Sequence, residues 1–177
     1  MSAGTAPPSS PKRRWFLKTA LAVAAIGGAV GGGVWWRRGF ADQKLTQDGR
    51  VIFRALASAI VGPLLPQDPA KRAAMLDHYL GRLESAIADM PEAKRLQLAL
   101  LTGALANAPT RYLATGVWKG WEDLNDEQVL QMLDGLRTAG SDAQHTIFVA
   151  CRAITSIMFF SSPENWSLVG YPGPMPI

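Results

Sequence analysis

The side chains that most often perform catalysis or bind metals are few in this chain and lie far apart. The sequence of 177 residues contains two histidines, His78 and His145, and one cysteine, Cys151. The histidines fall in different predicted helices, each at an ordinary position on a helix face, with no second ligand or base at a useful spacing. No Cys-x-x-Cys-His haem motif is present, and no Gly-x-Gly-x-x-Gly segment follows a predicted strand. We therefore expect no catalytic residue, no cofactor site and no metal site in this chain.

Cys151 lies in the apolar run of residues 147–151, which indicates a buried small hydrophobe and not a reactive thiol. A single cysteine cannot form an intrachain disulfide, so a bond to a partner's cysteine is the alternative that stays open. Asp77, Glu84 and Asp89 occupy exposed helical positions in the predicted pattern, and we interpret them as solvated surface charges.

A basic segment near the N-terminus has the pattern of a twin-arginine export signal. Its defining positions are filled by Arg13, Arg14, Phe16, Leu17 and Lys18, and Lys12 stands where Ser or Thr usually precedes the arginines. The apolar run of residues 19–36 that follows is rich in glycine and only mildly hydrophobic, which suits a signal that avoids the general secretory route. This route moves folded proteins, often with a cofactor or partner bound. We predict transport by the twin-arginine translocase and a periplasmic location associated with the inner membrane.

The fate of this leader has two alternatives. Gly39-Phe40-Ala41 offers small residues three and one positions before a cut, with Asp42 as the first mature residue. The other alternative is an uncleaved anchor that places Trp35 and Trp36 at the membrane interface. The chain is accordingly divided into a signal segment, residues 1–41, and a helical domain, residues 42–177.

The basic character of the chain belongs to the signal segment. Six of the 18 Lys and Arg residues precede residue 42, whereas all 14 Asp and Glu residues lie at or after it, so the domain is slightly acidic. A nucleic-acid-binding surface, which needs clustered positive charge, is therefore not indicated.

Hydrophobic periodicity predicts an all-α fold, a small single-domain bundle of about five helices with no convincing strand. Asp68 with Pro69 marks a helix start, and Asn125 with Gln128 resembles a capping box. The predicted helices cover residues 47–61, 69–90, 91–107, 125–140 and 142–160, with a short one near residues 111–114 and with Ser141 as the cap of the last. The last helix is apolar nearly all round, which predicts a central position in the bundle. Because it contains Arg152 and its apolar part, residues 147–160, covers only 14 residues, we expect it to be too short for a membrane span.

The C-terminal tail is rich in proline, glycine and aromatic residues, and we expect it to be irregular. Aromatic side chains on a rigid strip are good anchors for packing, so we take Trp166, Tyr171, Pro172 and Pro174 as a candidate partner interface. A tail folded over its own bundle is the alternative.

The tail carries a resemblance to a known family. Phe160, Ser162-Pro163, Trp166 and Gly170-Tyr171-Pro172-Gly173-Pro174 match the ending typical of the gluconate 2-dehydrogenase subunit 3 family, and residues 53–66 match its first mature helix and turn in pattern. Where the family usually has a tyrosine after the apolar helix, this chain has Phe160. The resemblance implies a small subunit without a redox centre that provides the export signal for a large flavoprotein of the glucose-methanol-choline oxidoreductase type. That partner would contain FAD, and a cytochrome c subunit often accepts its electrons.

Three functional hypotheses follow. The first is a non-catalytic accessory subunit that binds, stabilises and co-exports a flavin-dependent dehydrogenase. The second is a free-standing periplasmic or membrane-anchored binding or scaffolding protein. The third is an enzyme that uses His78 or His145.

Overall fold

The fold is mostly helical, as the sequence predicts. A computed structural model describes residues 39–41 and 43–174; the export-signal residues Arg13, Arg14, Phe16, Leu17 and Lys18 and the apolar run of residues 19–36 lie outside this part. The described residues form six α-helices: α1 Gln47–Ile60, α2 Pro69–Ala88, α3 Glu92–Ala106, α4 Ala108–Thr115, α5 Asp126–Thr138 and α6 Asp142–Phe160. Short 3₁₀ helices occupy Gly62–Leu64, Trp121–Asp123 and Pro163–Val169.

Side-chain caps mark the starts of α1, α2 and α5. The Asp68 carboxylate accepts a hydrogen bond from the Lys71 amide at 2.8 Å, with Pro69 in the first turn of α2. At the start of α5, Asn125 and Gln128 form the reciprocal capping box, with distances of 2.8 and 3.2 Å. These two start signals are confirmed. The cap proposed for α6 is wrong in its detail, because the Ser141 side chain makes no capping hydrogen bond to the described backbone.

The centre of the bundle is α1, and the expectation that α6 would be central is wrong. Helix α1 packs against α2, α3, α5 and α6 and buries Ile52, Phe53 and Leu56. Helix α6 packs mainly on α1 and α5 along one narrow stripe, Ile147, Cys151, Thr155 and Phe159. Phe148, Ile154, Met158 and Phe160 pack partly buried against the core, whereas Val149 and Ile157 stay exposed.

Among the described residues, α6 is also the one helix whose length and mean hydropathy, 19 residues and 1.2, reach those of a membrane span. By that measure the expectation that it is too short does not hold. Its buried stripe is nevertheless packed against the bundle, so a core helix with one free face accounts for the same composition.

A short hairpin that the sequence did not predict precedes α1. Strand β1, Phe40–Ala41, pairs antiparallel with β2, Lys44–Leu45, with Phe40 opposite Leu45. Both of these side chains are buried in the core, and Gln43 in the turn has a φ of 66°. The Leu45 amide donates to the Glu84 carboxylate at 3.2 Å, which fastens the hairpin to α2.

Candidate partner-binding surface

The segment after α6 is fastened to the last turn of that helix by two side chains. Asn165 Nδ2 donates to the Phe159 carbonyl, and Trp166 Nε1 donates to the Phe160 carbonyl, both at 2.7 Å. The last carbonyls of a helix lack partners within the helix, so these bonds satisfy groups that would otherwise need water. The 3₁₀ helix Pro163–Val169 is thereby held against the end of α6, and the expectation of an irregular tail is wrong for these residues.

Helix α2 holds the same junction from the side. Arg82 donates from Nε to the Ser161 hydroxyl at 3.0 Å and from Nη2 to the Ser161 carbonyl at 2.9 Å. One turn earlier, His78 Nε2 lies 3.2 Å from the Ser162 hydroxyl and 3.0 Å from a Glu164 carboxylate oxygen. Because His78 and Arg82 are four residues apart, they lie on one face of α2 and contact successive residues of the tail.

His78, Ser162 and Glu164 have the residue types of a hydrolytic triad, but their geometry does not support proton relay. A relay needs the hydroxyl at one ring nitrogen and the carboxylate at the other. Here both groups approach the same atom, Nε2, and Ser162 is buried. The contacts therefore fix the tail and do not activate the serine. His145 stands apart on α6, where its ring lies 6.1 Å from that of Phe148.

The tail beyond the 3₁₀ helix folds back over Trp166. The Tyr171 ring meets the Trp166 ring edge-on at 5.3 Å between centroids, and the Tyr171 amide donates to the Trp166 carbonyl at 3.0 Å. Gly170 and Gly173 make the return possible, with φ values of 70° and 97°. A Cβ at Gly173 would lie 3.5 Å from the Trp166 ring, so the backbone there rests on the indole.

The residues expected to contact a partner thus have two different environments. Trp166 is half-buried and is bonded to its own bundle, whereas Tyr171, Pro172 and Pro174 face solvent. Sequence reasoning missed further exposed apolar residues: on α6, Val149 is 48% and Ile157 61% exposed. Leu168 and Val169 of the tail are exposed as well. The signal that could have located those on α6 was the apolar composition of the helix on all sides, which exceeds what one buried stripe requires.

The Cys151 thiol, on the buried side of α6, is unreactive. Burial raises the pKa of Cys151 to about 12, and burial likewise raises the pKa of Tyr79 well above its ordinary value. The Cys151 thiol is therefore neutral at physiological pH and is no nucleophile. Its burial also means that a bond to a partner's cysteine would require α6 to open.

A second polar cluster lies at the start of α4, around the buried guanidinium of Arg111. Nη1 donates to the carbonyls of Leu105 and Ala106 at 3.2 Å each, and Nη2 donates to that of Trp118 at 2.9 Å. Trp121 Nε1 adds a bond of 2.8 Å to the Leu105 carbonyl. These side chains line a cleft of about 350 Å³ together with residues of the first turn of α1. The Arg111 and Trp121 side chains donate hydrogen bonds to the last carbonyls of α3 and so stabilise the turn between α3 and α4.

No group of three or more His, Cys, Asp or Glu side chains among the described residues could hold a metal ion. Comparison with known proteins adds no relative: no family model, no curated protein and no solved structure matches this chain.

Proposed function

We propose that this chain is the non-catalytic small subunit of a flavin-dependent dehydrogenase of the glucose-methanol-choline type, which it binds, stabilises and carries through the twin-arginine translocase to the periplasmic side of the inner membrane. The observation that carries the proposal is the exposure of Val149 and Ile157 on α6, together with a C-terminal segment that is hydrogen-bonded to the last turn of that helix. The export signal of residues 13–18 and the resemblance of the tail support the identity of the partner. FAD belongs to that partner, and a cytochrome c subunit is a further expected component.

The exposed residues of the tail belong to a segment that is already hydrogen-bonded to the bundle. Interfaces gain affinity when the contacting groups lose little freedom on binding. His78 and Arg82 fix the start of the tail, and the indole of Trp166 fixes its end. The backbone that carries Tyr171 is therefore hydrogen-bonded to the bundle before any partner arrives.

Co-purification tests the proposal directly. The chain is expressed with an affinity tag in its own cells, and the periplasmic and membrane fractions are captured and analysed for FAD. A flavoprotein that lacks its own export signal should be retained, and its export should fail when Arg13 and Arg14 are both replaced by lysine, since lysine lacks the planar double fork of the guanidinium group. Normal export of that double variant would refute the signal, and recovery of a partner without flavin would favour the scaffolding alternative.

The surface itself is tested by Ile157→Asp. Because Ile157 is 61% exposed, a charge there should leave the fold intact and weaken partner binding by about 30-fold, which corresponds to about 2 kcal/mol for an interface anchor. Leu96→Asp on α3 is the matched control, since Leu96 is 51% exposed and lies outside the α6 face. Equal affinities for the two variants would remove α6 from the interface.

A further inference from the structure

Residues 39–41, which precede the bond that a signal peptidase would cut, belong to the folded domain, with Phe40 buried and Ala41 exposed. Phe40 is only 7% exposed and belongs to the hydrophobic core, where it pairs with Leu45 across the hairpin. The Gly39 carbonyl accepts a hydrogen bond of 3.1 Å from the Thr46 amide, immediately before α1. Residues 39–41 are the ones a peptidase must hold in extended form, and here their backbone is already engaged in the fold.

Gly39 is also pressed between two helices. A Cβ at Gly39 would lie 2.3 Å from the Thr102 Cβ on α3, and a Cβ at Gly49 on α1 would lie 1.8 Å from the Gly39 carbonyl oxygen. Such distances leave no space for another chain beside Gly39. A peptidase could reach it only after the hairpin undocks and Phe40 leaves the core, which is local unfolding.

We propose that the leader is not removed at Ala41, and that it tethers the domain to the inner membrane with the cluster Tyr112, Leu113 and Trp118 resting on the lipid surface. The inference rests on the proposed export route, because a translocase that passes folded proteins presents the peptidase with the hairpin already formed. The apolar run of residues 19–36 then stays attached to the domain.

The tether is short, which limits what can face the bilayer. Only Arg37 and Arg38 separate the end of the apolar run from Gly39, so at about 3.6 Å per residue the fold begins within about 11 Å of Trp36. The surface around Gly39 must therefore lie close to the membrane.

Contacts within the domain link the cluster to that surface. Gly39 contacts Gly49 in the first turn of α1, and its neighbour Asp48 lines one cleft with Arg111 of α4. Arg111 in turn holds the Trp118 carbonyl. A continuous path of contacts thus connects the exit of the leader with α4 and the loop after it.

The chemistry of the cluster fits the lipid interface. Leu113 is 64% and Trp118 62% exposed, and the Tyr112 and Trp118 rings meet edge-on at 5.7 Å. Tryptophan and tyrosine favour the headgroup level, where the ring is in apolar surroundings and its polar atom stays wet. Glu122 and Asp123 follow closely in the chain, so the attraction is not one of basic residues for anionic lipid.

The first experiment is the intact mass of the exported full-length protein. The expected mass is that of the uncut chain, recovered in membranes after salt and carbonate washes. As a positive control, a flexible segment ending in Ala-Gln-Ala is inserted between Arg38 and Gly39; this variant should be cut and released. An exported protein that begins at Asp42 would overturn the inference and leave the export proposal standing, whereas accumulation of the whole chain in the cytoplasm would overturn both.

The second experiment places an environment-sensitive fluorophore on the full-length chain in phosphatidylcholine vesicles. Leu113→Cys and Ile157→Cys are matched in exposure, 64% and 61%, and the buried Cys151 stays unlabelled. A blue shift at position 113 alone, insensitive to salt, is the expected result. A shift at both positions, at neither, or at 157 alone would overturn the docking of the cluster.

Discussion

Replacing Phe40 by alanine measures whether the residues before Asp42 belong to the fold. Truncating a buried phenylalanine costs about 3–5 kcal/mol in a rigid core. Phe40 belongs to a short hairpin that can shift, so we take the lower end of that range, about 3 kcal/mol. Lys44→Ala is the control within the same hairpin: Lys44 is exposed, and its change should stay within about 0.5 kcal/mol.

The assay is urea unfolding of leaderless chains that begin at Gly39, followed by far-UV dichroism and by tryptophan fluorescence. Coincident transitions of the two signals justify a two-state free energy. If Phe40→Ala lowered the free energy of unfolding by less than about 1 kcal/mol, the loss would be smaller than the free energy gained by burying a phenylalanine side chain. It would mean that the hairpin is not docked, and the argument for a protected cleavage site would fail with it.

Three further outcomes are expected. Gly49→Ala should destabilise the fold by displacing the Gly39 carbonyl, and it should expose residues 39–41 to added protease. In the folded protein the Cys151 thiol stays protonated up to about pH 12, whereas in the unfolded chain the same thiol ionises near pH 9. The free energy of unfolding should therefore fall between these pH values by about 1.4 kcal/mol per pH unit. Urea unfolding at alkaline pH should show a smaller slope for Cys151→Ala. Trp166→Phe, which removes the bond to the Phe160 carbonyl but keeps a ring, should lower stability by about 1 kcal/mol, whereas Tyr171→Ala should leave unfolding almost unchanged.

What could be read from the sequence was local. The start of α2 at Asp68 and Pro69 and the capping box of Asn125 and Gln128 depend on residues within one turn, so the sequence contains all the information required. The helical class follows in the same way from spacing within each segment. The export signal, the partner and the absence of a cofactor site remain predictions.

The sequence-based predictions were wrong where contacts between residues distant in the sequence determine the structure. Strands of two residues have no periodicity to detect, and the hairpin exists because Gly39 fits between α1 and α3. The contacts between α2 and the tail join residues that are distant in the sequence. Arg82 and Ser161 are separated by 79 positions, and His78 and Ser162 by 84. Composition also could not tell which side of α6 faces inward, because an apolar helix lacks the contrast that orients an amphipathic one.

Arg152 distinguishes the free face of α6 from the cluster near the leader. It is exposed between Val149 and Ile157, and its guanidinium carbon lies 5.9 Å from the centre of the Phe148 ring. An exposed arginine near apolar residues is costly to place in lipid but is common at protein interfaces, where it binds carboxylates or stacks on aromatic rings. The Tyr112, Leu113 and Trp118 cluster is followed in the chain by Lys119, whose long side chain can reach the headgroups. The two surfaces are therefore suited to different partners, the α6 face to a protein and the cluster to the membrane, so a single tethered domain could bind both at once.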